Sequence, residues 1–250
     1  MALADDLYER PELYDLASPP DPDMERFYVA MAGGPGRQVL ELACGTGRLT
    51  LPLSRSGADV TGGDLSQAML DMAQQRARAE GLAPVLVQLD MRDFALGRRF
   101  DTIVVAANSL LHLTRTADQM AFLESAARHL KPDGRLIFDI FVPSAWILSR
   151  PGDERQLLGV FQHPELGEVS IEETIAYDPV SQISQIDWYW SHPAERNFRH
   201  TRLEMRQIYP QELLLLLERG GFALVERFGG FDRSPLTPTS MRQVVICAVR

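Results

Sequence analysis

The sequence predicts an α/β protein built on an open, doubly wound, mostly parallel sheet, with an antiparallel β insertion after the fifth strand. Three observations carry this. Up to about residue 142, short apolar runs alternate with amphipathic helical patterns, and runs of this length between helices mark parallel strands covered on both faces. One apolar strand, "VLELAC", runs directly into a glycine turn and then a helix. After Pro143 the pattern switches to the period-two alternation of antiparallel strands.

Taken in order, residues 1–36 hold two aromatic clusters, "LYERPELYDLAS" and "MERFYVAMA", separated by the breakers 18–22 and closed by "GGPG"; they predict two short helices and a stop. A core follows over residues 37–143. "RQVLELAC" reads as a strand and "GRLTLPLSRSG" as a helix. "DVTGGD" is a second strand and "SQAMLDMAQQRARAEG" a helix that Ser66 can cap and Gly81 can stop. "PVLVQLD" and "FDTIVVAAN" are further strands, "DQMAFLESAARHL" is a helix ending before the turn "KPDG", and "RLIFDIF" is the fifth strand. Residues 144–208 form the insertion, with "GEVSIEETIAY", "SQISQIDWYW" and "FRHTRLEMRQI" as an antiparallel ribbon positioned like a lid. Residues 209–250 return to the core with the helix "QELLLLLERGG" and the strands "FALVERFGG" and "RQVVICAVR".

The totals exclude several classes. The formal net charge is -9 and no lysine or arginine block is present, which argues against nucleic acid or anionic lipid as a partner. The apolar runs are far shorter than the ~20 residues that span a bilayer, and residues 1–10 are acidic without an apolar signal core. A cytoplasmic protein, monomer or homodimer, is expected. Cys44 and Cys247 sit in apolar, strand-like surroundings and form no metal-ligand spacing with histidine, so buried packing is expected of both and no metal site.

The chemistry is concentrated at "VLELACGTGRLTLPL". Glycines at a strand-to-helix turn let a ligand approach the backbone and the helix N-terminal amides. About twenty residues on, Asp64 ends the second strand, where a carboxylate can accept hydrogen bonds from ribose hydroxyls or, alternatively, cap the next helix. The same architecture binds NAD, whose G-x-G-x-x-G/A fingerprint needs a small residue where this chain has Thr50. That departure counts against a nicotinamide-dependent oxidoreductase, which stays as an alternative.

Together "ELACGTGR", "GGDLSQAML", "QLDMRDF", "FDTIVVAANSLLHL" and "LKPDGRLIFDIF" resemble the successive motifs of the class I S-adenosylmethionine-dependent methyltransferases. The resemblance covers about residues 38–142 and, more loosely, the final helix and two strands. It implies a Rossmann-like, seven-stranded sheet with the last strand antiparallel, S-adenosyl-L-methionine as cofactor, and a helical segment over residues 1–36 that covers the cofactor. Carried over by position, Glu41, Ala43, Gly45, Thr46 and Gly47 would line the methionine end. Asp64 would hold the ribose hydroxyls, with Leu65 and Met69 on the adenine, Asp90 on its amino group and Met91 beside it. Ala107 and Asn108 would flank the reacting methyl. Two positions depart from the family: Ala43 stands where a glycine is common, and "GGDLS" lacks the usual apolar residue before the acid. Tyr14 matches an N-terminal tyrosine that similar enzymes fold over the cofactor, although plain packing also accounts for it; Tyr8, Arg10 and Tyr28 are lesser candidates of the same kind.

The implied activity is O- or N-methylation of a small-molecule acceptor by direct in-line transfer. A cofactor-binding protein without transfer activity is the other alternative. Ser109 lacks the glycine frame of a nucleophile elbow. His112, shortly after Asn108, is the nearest histidine to the expected transfer point and a candidate general base, against a purely structural role at a helix start. His163, His192 and His200 lie in the insertion and could reach the acceptor, while His129 is expected at a helix C-terminus, where a cation is favoured. Period two sends Trp188 and Trp190 to one face of the ribbon and Tyr189 to the other, so one face could wall the acceptor. Trp146 is a further aromatic candidate for the pocket mouth.

Overall fold

The computed structural model describes residues 7–250; residues 1–6 of the predicted N-terminal segment lie outside that range. A 3-10 turn at Leu7–Glu9 leads into α1 (Pro11–Ala17) and α2 (Pro22–Ala32). Both helices begin on a proline, whose fixed φ suits the first helical turn, and Asp21 caps α2 by accepting from the amides of Asp23 and Met24.

The alternation then follows as β1 (Gln38–Leu42), α3 (Thr50–Arg55), β2 (Asp59–Asp64), α4 (Gln67–Ala79), β3 (Val85–Gln88), β4 (Phe100–Val105), α5 (Thr116–His129) and β5 (Leu130–Phe141), with a 3-10 turn at Ser109–His112. Ser66 Oγ accepts from the Met69 amide at 3.3 Å to cap α4, and Gly81, at φ 69°, stops it. Strand β5 begins before the predicted "KPDG" turn. Phe100 pairs with Leu130 and Thr102 with Arg135, so the turn residues bulge out of the ladder without ending it.

After β5 come α6 (Ala145–Leu148), then β6 (Gln156–His163), β7 (Gly167–Asp178), β8 (Ile183–His192) and β9 (Glu195–Arg206), and finally α7 (Pro210–Arg219), β10 (Phe222–Phe228) and β11 (Arg242–Val249). The insertion is thus a four-stranded antiparallel sheet, one strand more than its alternation predicts. Strand β6 escapes the pattern because it is an edge strand whose Leu157, Leu158 and Val160 are all exposed.

The main sheet has the order β10-β11-β5-β4-β1-β2-β3. Strands β1 to β5 pair in parallel, and β11 is antiparallel to both β5 and β10. The chain moves outward from β1 to β3, then returns to β4 on the other side of β1. The connections after β1 and β4 leave to opposite sides there, and the crevice between them is where such sheets bind ligands.

Each face of the sheet carries an apolar cluster. Successive residues of β5 point to opposite sides, so Leu136, Phe138 and Ile140 join Leu42, Phe122 and Leu213, while Ile137 joins Phe27, Tyr28 and Val60. A third cluster bridges the N-terminal segment and the lid sheet: Leu7 and Leu13 pack with Val169, Ile171, Trp190 and Leu203. Among the described residues no helix is long and apolar enough to cross a membrane.

Candidate active site

A cavity of about 430 Å³ lies at the carboxyl edge of the parallel strands, within the 300–1,000 Å³ range of small-molecule sites. Its floor comes from the ends of β1, β2 and β4, with Ala43, Gly45, Asp64, Leu65, Ala107 and Asn108. One side is closed by Tyr8 and Tyr14 of the N-terminal segment, and the roof by Ile186, Trp188, Leu203 and Met205 from the inner face of the lid sheet.

The floor is made by unusual backbone. Ala43, Ala107 and Asn108 have φ of 54°, 55° and 64°, a left-handed conformation costing a residue with a Cβ about 1–2 kcal/mol. Such strain persists where the surroundings enforce it, typically at sites of function. Here Asn108 Oδ1 accepts from the Phe141 amide at 2.7 Å, and the Ala107 amide donates to Asp139 at 2.9 Å. Gly45 is also left-handed, at φ 55°, and a Cβ on it would meet only Tyr14, at 3.9 Å.

Asp64 is held by the chain it faces. Its Oδ2 accepts from the Gly45 amide at 2.8 Å and its Oδ1 from the Ser66 amide at 2.9 Å, and each oxygen keeps a second lone pair for a ligand donor. Ser66, not Asp64, caps α4. Burial pushes the Asp64 carboxyl above its ordinary range, against the pull of those amides. Asp139 is 2% exposed yet lines the cavity. Burial raises it too, opposed chiefly by the Tyr28 hydroxyl, which donates to it at 2.6 Å.

Two guanidinium groups also line the cavity. Arg48 donates to the Tyr14 hydroxyl at 2.6 Å and to the Ser18 carbonyl at 2.5 Å, which ties the end of α1 to the glycine turn. Arg242 opens β11 opposite Phe141 of β5 and stands 3.8 Å from Asp21. His112 closes the 3-10 turn after β4, and its Nε2 lies 2.7 Å from the Tyr8 hydroxyl. The two rings meet edge to face.

Of the predicted residues, the structure brings Tyr14, Ala43, Gly45, Asp64, Leu65, Met91, Ala107, Asn108 and His112 to the cavity wall. Glu41, Thr46, Gly47, Met69 and Asp90 are not in that wall. Glu41 is buried and takes a hydrogen bond from Thr50 at 2.5 Å; burial pushes its carboxyl up to about 8. Thr46 donates to Asp15 at 2.7 Å, Met69 is fully buried in α4, and Gly47 packs on Ala73. Asp90 is turned onto Arg92, which holds its carboxyl below the usual range.

Trp188 reaches the cavity, its Nε1 donating to Glu173 at 3.1 Å, whereas Trp190 on the same face is fully buried with its Nε1 on Thr201. Tyr189 faces away, stacked on His200. His163, His192 and His200 are outside the cavity wall, so the insertion supplies no histidine to it. His129 is the last residue of α5, at the helix C-terminus as expected, with Nε2 accepting from the Leu96 amide at 3.1 Å and Nδ1 2.8 Å from the Ser125 carbonyl. Trp146 is 69% exposed and is not among the residues of the cavity wall. Arg10 is the N-cap residue of α1, its side chain making no cap hydrogen bond, and it is outside the cavity wall.

Residues 39–134 match the family model described as a methyltransferase domain. The chain is 31% identical over 198 residues to YqeM of Bacillus subtilis, a protein provisionally assigned as a methyltransferase, spanning 75% of this chain and 74% of that one. The chain belongs to the class I S-adenosylmethionine-dependent methyltransferases. The methyltransferase superposes on the CcbJ methyltransferase from Streptomyces caelestis with a TM-score of 0.81 at 25% identity, over 98% of both chains. The glycopeptide N-methyltransferase MtfA, solved with S-adenosyl-L-methionine, matches this methyltransferase with a TM-score of 0.62 at 26% identity, over 93% of this chain and 96% of that one. Other curated relatives are matched over less than half their length, 44% and 42%.

Proposed function

We propose that this methyltransferase transfers the methyl group of S-adenosyl-L-methionine to an oxygen or nitrogen of a small-molecule acceptor held between the parallel sheet and the lid. The observation that carries this reading is one cavity shared by the strained carboxyl edge of the sheet and the inner face of the insertion. The side chains fit the cofactor's chemistry. Its ribose diol needs a carboxylate with spare lone pairs, which Asp64 offers; its carboxylate needs a cation, which Arg48 offers beside Tyr14; its ammonium suits the acids of the wall, with Asp139 in place behind Ala107. Gly45 leaves the backbone bare where the cofactor must come close, and Leu65 and Met91 supply apolar contact for the adenine.

When bound, the cofactor supplies a methyl group on a sulfonium, which leaves as a neutral thioether. The protein's part is to align the acceptor and exclude water, and positioning of this kind is worth about 7–11 kcal/mol of barrier. Ala107 and Asn108 fix the floor beneath the transfer point, and Trp188 covers it. The acceptor gives up a proton, and the Tyr8 hydroxyl with His112 Nε2 at 2.7 Å forms a path for it to the imidazole.

Calorimetric titration with S-adenosylhomocysteine tests the cofactor assignment. Wild type should bind, and Asp64→Ala should weaken binding by roughly ten- to hundredfold, the worth of a hydrogen bond to a charged group, about 1.5–3 kcal/mol. Undiminished affinity in a folded Asp64→Ala variant would sink the assignment. A cofactor-binding protein without transfer activity would bind equally well yet label no compound in an acceptor panel with radioactive methyl.

A further inference from the structure

A second, smaller cavity of about 180 Å³ lies beneath α6. Phe141 and Val142 form one side, Ile147 and Leu148 of α6 the cover, and Ile175 and Ile186 of the lid sheet the other side. Ile186 also lines the main cavity, so the two cavities share a wall residue. A second tie runs through the backbone. Phe141, in the wall of the small cavity, donates its amide to the side chain of Asn108 at the transfer point.

The small cavity has almost no polar function to offer. Three polar residues reach it: Ser184 and Gln207 are buried and joined to each other, Gln207 Nε2 donating to Ser184 Oγ at 3.0 Å, and Ser144 stands at the start of α6, leaving one small hydroxyl at the rim of an otherwise apolar wall. Protein interiors pack with few voids larger than a water molecule, and water enters a cavity only where polar partners hold it. An apolar void of about 150 Å³, lined by similar side chains, stays dry and takes up benzene in another protein. The present cavity is slightly larger than that and is partly open to its surroundings.

We propose that the small cavity is an acceptor subsite. The acceptor then has two parts: a nucleophilic oxygen or nitrogen in the main cavity near Asn108 and His112, and a compact hydrocarbon arm, on the scale of one aromatic ring, that passes Ile186 and lodges under α6. This rests on the methyltransferase reading above and adds the acceptor's class to it.

The test uses the full-length protein saturated with S-adenosylhomocysteine and two matched probe pairs, ethylamine with benzylamine and ethanol with benzyl alcohol, titrated by ligand-detected NMR. The benzyl member of at least one pair should bind at least tenfold more tightly than its ethyl partner. Leu148→Phe, or Ile147→Phe if the first does not fold, fills the subsite and should abolish that preference while leaving S-adenosylhomocysteine affinity within twofold of wild type. No benzyl preference in the wild type, or a preference that survives in the filled variant, overturns the subsite. Failure of S-adenosylhomocysteine itself to bind would instead overturn the cofactor reading, and this proposal with it.

Discussion

The Tyr28 hydroxyl donates to Asp139 Oδ1 at 2.6 Å, and neither side chain has appreciable contact with solvent. The bond joins α2 to the end of β5, and the same carboxylate oxygen accepts from the Ala107 amide, so one acid orders both the N-terminal helices and the strained floor. Removing a partner from a buried carboxylate costs about 1–3 kcal/mol. Tyr28→Phe should therefore lower the melting temperature and weaken S-adenosylhomocysteine binding together, read by calorimetry. A loss of stability with cofactor affinity intact would separate Asp139 from the floor it holds.

Glu41 gives a pH signature. Its carboxyl ordinarily titrates near 4.5 and is pushed up to about 8 by burial in the folded protein. Between those values the unfolded chain has released the proton and the native state has kept it, so stability falls as pH rises through the window. The contribution is complete below about 4.5 and gone above about 8, with a slope of at most about 1.4 kcal/mol per pH unit. Glu41→Gln keeps an acceptor for Thr50 and should flatten that slope in denaturant titrations at several pH values.

Gly47 has no place in the cavity wall, yet substitution there should be costly. Its φ is 84° and a Cβ would stand 3.2 Å from the Cβ of Ala73 in α4. Gly47→Ala should destabilise the fold by about 1–3 kcal/mol through backbone strain and crowding. A chemical melt unchanged from wild type would refute this.

His112 and Tyr8 predict a kinetic split. If the imidazole accepts the acceptor's proton, His112→Ala should lower kcat by about 10²–10⁴-fold and leave S-adenosylhomocysteine affinity within a few-fold. Tyr8→Phe should lower kcat less and change the pH profile, since the imidazole remains. Equal losses of cofactor affinity in both variants would mark the pair as structural.

The parallel core was readable because its cues are local: strand, glycine turn, helix cap and terminal acid follow one another within β1 to α4. The remainder of the site depends on contacts between distant segments. Arg242 faces the cavity only because β11 runs antiparallel to β5, which sets its first residue beside Phe141. Arg48 sits next to the glycine turn, but its role appears only once Tyr14 and Ser18 fold onto it. Asp139 did leave a trace, an acid inside the apolar run "RLIFDIF", since acids are seldom buried in such strands without a task. Thr46 and Asp90 show the converse. The resemblance gives them cofactor contacts by position, but Asp15 and Arg92 already engage their side chains.

The cluster of Leu7 and Leu13 with Trp190 and Leu203 joins the segment that carries Tyr8 and Tyr14 to the sheet that carries Trp188. On the proposed function, the segment at the cofactor end and the sheet at the acceptor end are therefore packed into one cover. If that segment lifts to admit cofactor, the roof loses its anchor, and only its return rebuilds the acceptor chamber. Steady-state kinetics should accordingly show a compulsory sequence, with S-adenosylmethionine entering first and its product leaving last.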